Sequence, residues 1–143
     1  GVWLPPPMVV PPSPPRPPAS ERLVRAYAAL IERDFASGRP MADYAAALGV
    51  TPTHLTRTCR TVAGMSAAQL LTQRIVHAAR GFLVQSDHPF KLIAAMLGFR
   101  SAAYFSRFVL HHTGFTPTQL RRDAEASAPK TAAAPATRMP GVG

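Results

Sequence analysis

LGVTPTHLTRT (residues 48–58) and LGFRSAAYFSR (97–107) set down nearly the same pattern twice within one chain of 143 residues. A repeat at fixed separation constrains architecture before any other feature does. In the first copy, MADYAAALG (41–49) reads as a short alanine-rich helix ended by Gly49 in a left-handed cap. Val50 turns inward, Thr51 is an N-cap, and Pro52 takes the first helical position, where proline is best tolerated. The helix PTHLTRTCRTV then places Leu55, Cys59 and Val62 on one face and Thr53, Thr56, Arg57 and Arg60 elsewhere. Helix, glycine turn, and helix with a polar outer face is the helix-turn-helix layout. A plain three-helix bundle showing threonine and arginine to water fits this copy equally well. In a helix-turn-helix, Arg57 would make the bidentate contact to guanine, with Thr53 and Thr56 meeting bases or thymine methyls.

The second copy decides between them. FKLIAAML (90–97) is the support helix, Gly98 the cap, Phe99 the inward plug, and Arg100 an added residue before the N-cap Ser101. Counted from the caps, Leu55 answers Phe105, Thr56 answers Ser106, and Arg57 answers Arg107. Agreement of support helix, glycine, plug, cap, core residue, hydroxyl and arginine favours a paired helix-turn-helix.

Around the copies, SERLVRAYAALIERDF (20–35) predicts a helix capped by Ser20, with Leu23, Tyr27, Leu30, Ile31 and Phe35 in one apolar stripe stopped by SGRP. GMSAAQLLTQRIVHAARGFLVQS (64–86) predicts a long helix capped by Ser66. Its apolar residues, among them Leu70, Leu71, Ala79 and Leu83, occupy more than one face, which suits packing against two neighbours. Gly81 costs about 1 kcal/mol in a helix interior, so it weakens the helix or marks a tight contact.

Nine of the sixteen prolines lie in residues 1–19. That stretch predicts a disordered, polyproline-type linker, with a ligand for SH3 or WW domains as the lesser reading. Residues 123–143 are small, proline-dotted and aperiodic, and predict a disordered tail. The folded part is 20–122. Net charge is +9 and the pI about 11.3. From Thr51 to Arg122, Asp87 is the one acid against nine bases, which points to a polyanion or to a solvated basic face. Of these bases, Arg60, Arg74, Lys91, Arg100, Arg121 and Arg122 are candidates for DNA backbone contacts, which position without reading sequence. Helix N-termini at Ser66 and Thr116 would add backbone amides to phosphates.

No run approaches the ~18 apolar residues of a membrane span, and no secretion signal opens the chain. The single cysteine suits a reducing cytosol. Cys59, the one candidate nucleophile, shares a face with Leu55 and Val62, so it reads as a buried structural thiol rather than a reactive one. His111 and His112 are adjacent and diverge by about 100° on a helix, and His54, His77 and His88 show no ligand spacing, so no metal is expected. Phosphate loops, carboxylate pairs and acyl-transfer triads are missing, so neither enzyme activity nor a cofactor is expected.

With these residues in place, LGVTPTHLTR, AAMLGFRSAAYFSRF and HHTGFTPTQLRR resemble the DNA-binding domain of the AraC/XylS family of bacterial transcription regulators. The match is strongest in the second half, with its GF turn, S-x-x-YFSR, G-x-TP and basic pair. The resemblance covers residues 20–122. It implies an all-α fold of about seven helices in two helix-turn-helix subdomains, 20–63 and 90–122, joined by a linker helix at 66–85. It also implies recognition helices in successive major grooves, with Thr53, Thr56 and Arg57 facing bases in the first subdomain and Ala102, Ala103, Ser106 and Arg107 in the second. The pattern departs after Arg107, where Phe108, Val109 and Leu110 leave out an expected cation, and Ala102 and Ala103 cannot donate hydrogen bonds. Less strict reading by the second subdomain follows.

The implied partner is double-stranded DNA, with RNA polymerase as a second candidate and no membrane, in a cytoplasmic, nucleoid-associated setting. Family members usually carry an N-terminal sensor domain, so the chain is either part of a longer regulator or a small stand-alone member. It is a monomeric domain unless such a domain dimerises it. The rivals are a non-specific nucleoid-type DNA binder and a module that docks RNA polymerase without DNA.

Overall fold

The computed structural model describes residues 1–12 and 15–128. Seven α-helices, and no strand, occur among the described residues: α1 (Ala19–Asp34), α2 (Met41–Ala47), α3 (Pro52–Ala63), α4 (Ala67–Gln85), α5 (Phe90–Met96), α6 (Ala102–Thr113) and α7 (Pro117–Ser127). A 3-10 turn, Phe35–Ser37, follows α1. The described residues before α1 form neither helix nor strand and are mostly exposed.

Two hydrophobic clusters share α4. The first gathers Tyr27, Ile31, Tyr44, Leu55, Cys59 and Ala67 from α1 to α4. Its buried tyrosine hydroxyls are satisfied: Tyr27 donates to the Ala67 carbonyl at 2.6 Å and Tyr44 to that of Asp34 at 2.8 Å. Their rings meet edge to face at 5.9 Å. The second gathers Ala79, Leu83, Ile93, Leu97, Phe105 and Val109, with Leu120 of α7 at its margin. Leu70 and Leu71 of α4 face the first cluster, and Ala78, Ala79, Phe82 and Leu83 the second. The linker helix thus packs against two neighbours, as its pattern predicts.

The repeat is reproduced bond for bond. After α2, the Gly49 and Val50 amides donate to the carbonyls of Ala46 and Ala45; after α5, those of Gly98 and Phe99 donate to Ala95 and Ala94. This is the Schellman arrangement that a left-handed residue closes, and φ is +73° at Gly49 and +83° at Gly98. Thr51 and Ser101 cap the next helices by accepting from His54 and Tyr104 amides. The repetition continues beyond the quoted stretches. Helices α4 and α7 both open with a capping box, Ser66 with Gln69 and Thr116 with Gln119.

Several local expectations are corrected. Pro18, not Ser20, stands at the N-cap of α1, and Ser20 lies inside the helix. Val62 is 39% exposed, while Thr58 is buried beside Cys59 with its hydroxyl bonded back to the His54 carbonyl at 2.9 Å. A Cβ built at Gly81 would meet nothing within 4 Å, so no tight contact explains that glycine. Helix α7 runs five residues past Arg122, to Ser127, because its capping box starts it, Leu120 anchors it, and Ala124 and Ala126 suit a helix. Residues 13 and 14 of the linker and 129–143 of the predicted tail lie outside the described residues.

Candidate nucleic-acid interface

Helix α3 buries Leu55, Thr58 and Cys59, which turns Thr53, His54, Arg57, Arg60 and Thr61 outward. Thr53, Thr56, Arg57 and Arg60 border one shallow depression, so the three predicted base-facing residues of this subdomain and one predicted backbone contact lie together. Thr56 is half-buried, and its hydroxyl accepts from the Ala67 amide at 3.2 Å, pinning α3 to the start of α4. Among the described residues, the Arg57 guanidinium enters no hydrogen bond or ion pair, which leaves all its donors free.

Helix α6 presents the second face. Ala103 and Arg107 are exposed, and Ala102 and Ser106 half-buried, while Phe105 and Val109 anchor the helix inside. Lys91, Arg100, Ala102 and Ala103 border a single concavity between α5 and the start of α6. The residue missed at this face is Tyr104. Two guanidinium groups lie over its exposed ring, Arg100 at 4.6 Å and Arg107 at 4.9 Å from the centroid. Cation–π attraction holds both cations in place, and Arg107 Nε adds a long 3.5 Å bond to the Ala103 carbonyl. The helical spacing of Tyr104 and Arg107 was visible in the sequence; the reach of Arg100 back over the cap was not.

Two predicted backbone contacts, Arg121 and Arg74, have partners within the chain. Arg121 donates to the Leu83 carbonyl at 3.1 Å and the His88 carbonyl at 2.9 Å, and lies over the Phe90 ring. It thereby satisfies carbonyls where α4 ends. Arg74 pairs with Glu32 and lies 4.1 Å over the Phe35 ring, and the guanidinium holds the Glu32 carboxyl below its ordinary range. Arg60, Lys91, Arg100 and Arg122 are exposed. The helix N-termini offer less to an anion than expected. At Ser66 the capping box takes the Ser66 and Gln69 amides and Thr56 takes that of Ala67. At Thr116 the box takes the Thr116 and Gln119 amides, and Pro117 has none.

Cys59 is fully buried, and burial pushes its thiol up. Among the described residues, no three His, Cys, Asp or Glu side chains cluster as a metal site would require, and no helix is long and apolar enough to cross a membrane.

A family model described as a helix-turn-helix domain matches residues 44–123. Over 92 residues the chain is 28% identical to the bifunctional transcriptional activator/DNA repair enzyme AdaA of Bacillus subtilis, covering 64% of this chain and 44% of that protein. The chain therefore spans less than half the length of this curated relative. Among solved structures, the C-terminal domain of AraT, a response regulator from Geobacillus stearothermophilus, superposes with a TM-score of 0.67 at 28% identity, over 71% of this chain and 84% of that one. The DNA-binding domain of the global transcriptional factor AdpA, solved with a target DNA, gives 0.66 at 23% identity, over 76% and 96%.

Proposed function

Because the chain belongs to the AraC/XylS type of helix-turn-helix domains, we propose that it binds double-stranded DNA sequence-specifically and regulates transcription, with α3 and α6 in successive major grooves. The observation that carries this is the doubled unit: a support helix, a Schellman turn, and a capped helix with an exposed arginine six residues past its cap. A non-specific DNA coater needs the charge but not this register. Grooves on one DNA face recur at about 34 Å, so a single chain spans two half-sites about one helical turn apart. Arg57 and Arg107 read base edges with Thr53, Thr56, Ala102, Ala103 and Ser106 around them, and Arg60, Lys91, Arg100 and Arg122 hold phosphates. RNA polymerase is a further partner proposed for the bound state, and the nucleoid the place of action.

Selection from a randomised duplex pool tests the reading. Two half-sites should emerge, and random DNA should compete about 10³-fold or more less well. With around five phosphates neutralised, the log–log salt slope should lie near −4 to −5. Equal competition by random DNA would favour the nucleoid-type rival. No mobility shift at moderate salt would favour a module that docks polymerase alone.

The name of AdaA raises repair chemistry, and Cys59 is the thiol to ask about. A reactive thiol needs exposure and a lowered pKa, and Cys59 has neither. Incubation with alkylated DNA should leave the mass of the protein unchanged, and a thiol reagent should label Cys59 only as fast as the protein unfolds. A mass increase on the native protein would assign Cys59 an acceptor role.

A further inference from the structure

The two turn glycines of the repeat occupy the same backbone conformation but very different surroundings. A Cβ on Gly49 would meet nothing within 4 Å. A Cβ on Gly98 would lie 2.6 Å from the Ala36 carbonyl oxygen and 2.9 Å from the Gly38 nitrogen, both in the segment that leaves α1. The contact is reciprocal, since a Cβ on Gly38 would lie 3.1 Å from the Gly98 oxygen. Backbone of the second subdomain therefore rests directly on backbone of the first. Phe35, beside this contact in sequence, packs against both hydrophobic clusters, and Arg74 lies over its ring while pairing with Glu32.

We propose that Gly98, seated on Ala36 and Gly38, is a positioning residue that fixes α6 relative to α3 and so sets the half-site spacing the protein accepts. A single connecting helix leaves two units free to rock about its axis. A second attachment away from that axis removes the freedom. Packed backbone has no rotamers with which to adapt, so this seam has one seating rather than a range. The turn itself requires a left-handed residue at both glycines; only Gly98 must also lack a side chain for the subdomains to meet. Gly49→Ala thus pays the turn strain without touching the seam, and serves as an internal control.

The consequence for DNA rests on the two-groove reading, but the seam can be measured without DNA. Spin labels at Thr61→Cys and Leu110→Cys, both exposed and on α3 and α6, report the separation of the subdomains in the full chain. Pulsed dipolar spectroscopy should give one narrow distance in the parent and in Gly49→Ala, and a shifted or at least about twofold broader distribution in Gly98→Ala. If Gly98→Ala does not fold, Gly38→Ala loads the same seam from the other side and should shift the distance less, in the same sense. Identical distributions for the parent and these seam variants would overturn the proposal. On the selected duplex, one extra base pair between half-sites should weaken the parent roughly tenfold or more, and Gly98→Ala by clearly less. Equal penalties for both would also overturn it. Selection of only a single half-site would defeat the two-groove reading, with the distance measurement still deciding the seam.

Discussion

Phe105→Ala should cost the protein about 3–5 kcal/mol, with the loss concentrated in the second subdomain. Phe105 is fully buried, stacked edge to face on Phe99 at 5.5 Å, and belongs to the cluster formed by α4 to α7. Its removal leaves a cavity that Ile93, Leu97 and Val109 cannot close without moving helices. Domains of this size have roughly 5–15 kcal/mol in total, so one ring accounts for a large share. The first cluster draws on different residues, and the two meet at α4 and Phe35. Hydrogen exchange should therefore show protection falling in α5, α6 and α7 well before α2 and α3. Urea unfolding should show the lowered midpoint. An equal loss of protection in both halves would mean that the clusters fold as one unit, with α4 coupling them fully. Leu55→Ala, at the matching position of the first repeat, should give the mirror-image pattern at about 2–5 kcal/mol.

The fold was legible because the features that set it are local. Left-handed glycines, hydroxyl caps and apolar spacing all act within a few residues, so Gly49, Thr51, Gly98 and Ser101 announce their turns wherever the rest of the chain goes. The repeat extends beyond the two quoted stretches, since G-x-[S/T]-x-x-Q recurs at 64–69 and 114–119 and becomes the two capping boxes. What stayed hidden depends on contacts distant in sequence. Nothing near Arg121 says that it closes the end of a helix nearly forty residues earlier, and nothing near Arg74 names Glu32 as its partner. Both read as phosphate contacts or solvated charges because charge is counted before partners are known. Gly81 and Gly98 illustrate the same limit in opposite directions. Gly81, which reads either as a weak point of its helix or as a tight contact, has no close neighbour, and Gly98, which reads as a turn residue, bears the contact between subdomains. Ser20 failed as a cap for a simpler reason: the helix begins one residue after Pro18, ahead of it.

Arg57→Ala should weaken binding to the selected duplex by about 1–3 kcal/mol, a factor of roughly 5 to 150, and relax base choice at one position. Arg60→Ala should weaken all sequences alike and lower the salt slope by about 1. The two arginines border the same depression on α3, so the contrast tests the assignment of roles rather than the presence of charge. Arg57 lies six residues past its cap and has no intramolecular partner among the described residues, so its planar fork can meet both acceptors of a guanine edge. Arg107 occupies the same register on α6 but is stacked on Tyr104, with alanines at 102 and 103 beside it. Methyls at those positions would meet bases without donating, so on the proposed reading Arg107→Ala should relax sequence choice less than Arg57→Ala does. Titrations against the selected and a scrambled duplex, each over a range of salt, separate these effects. Equal losses on both duplexes for Arg57→Ala would reduce it to a phosphate contact and shift the reading of bases to the threonines around it.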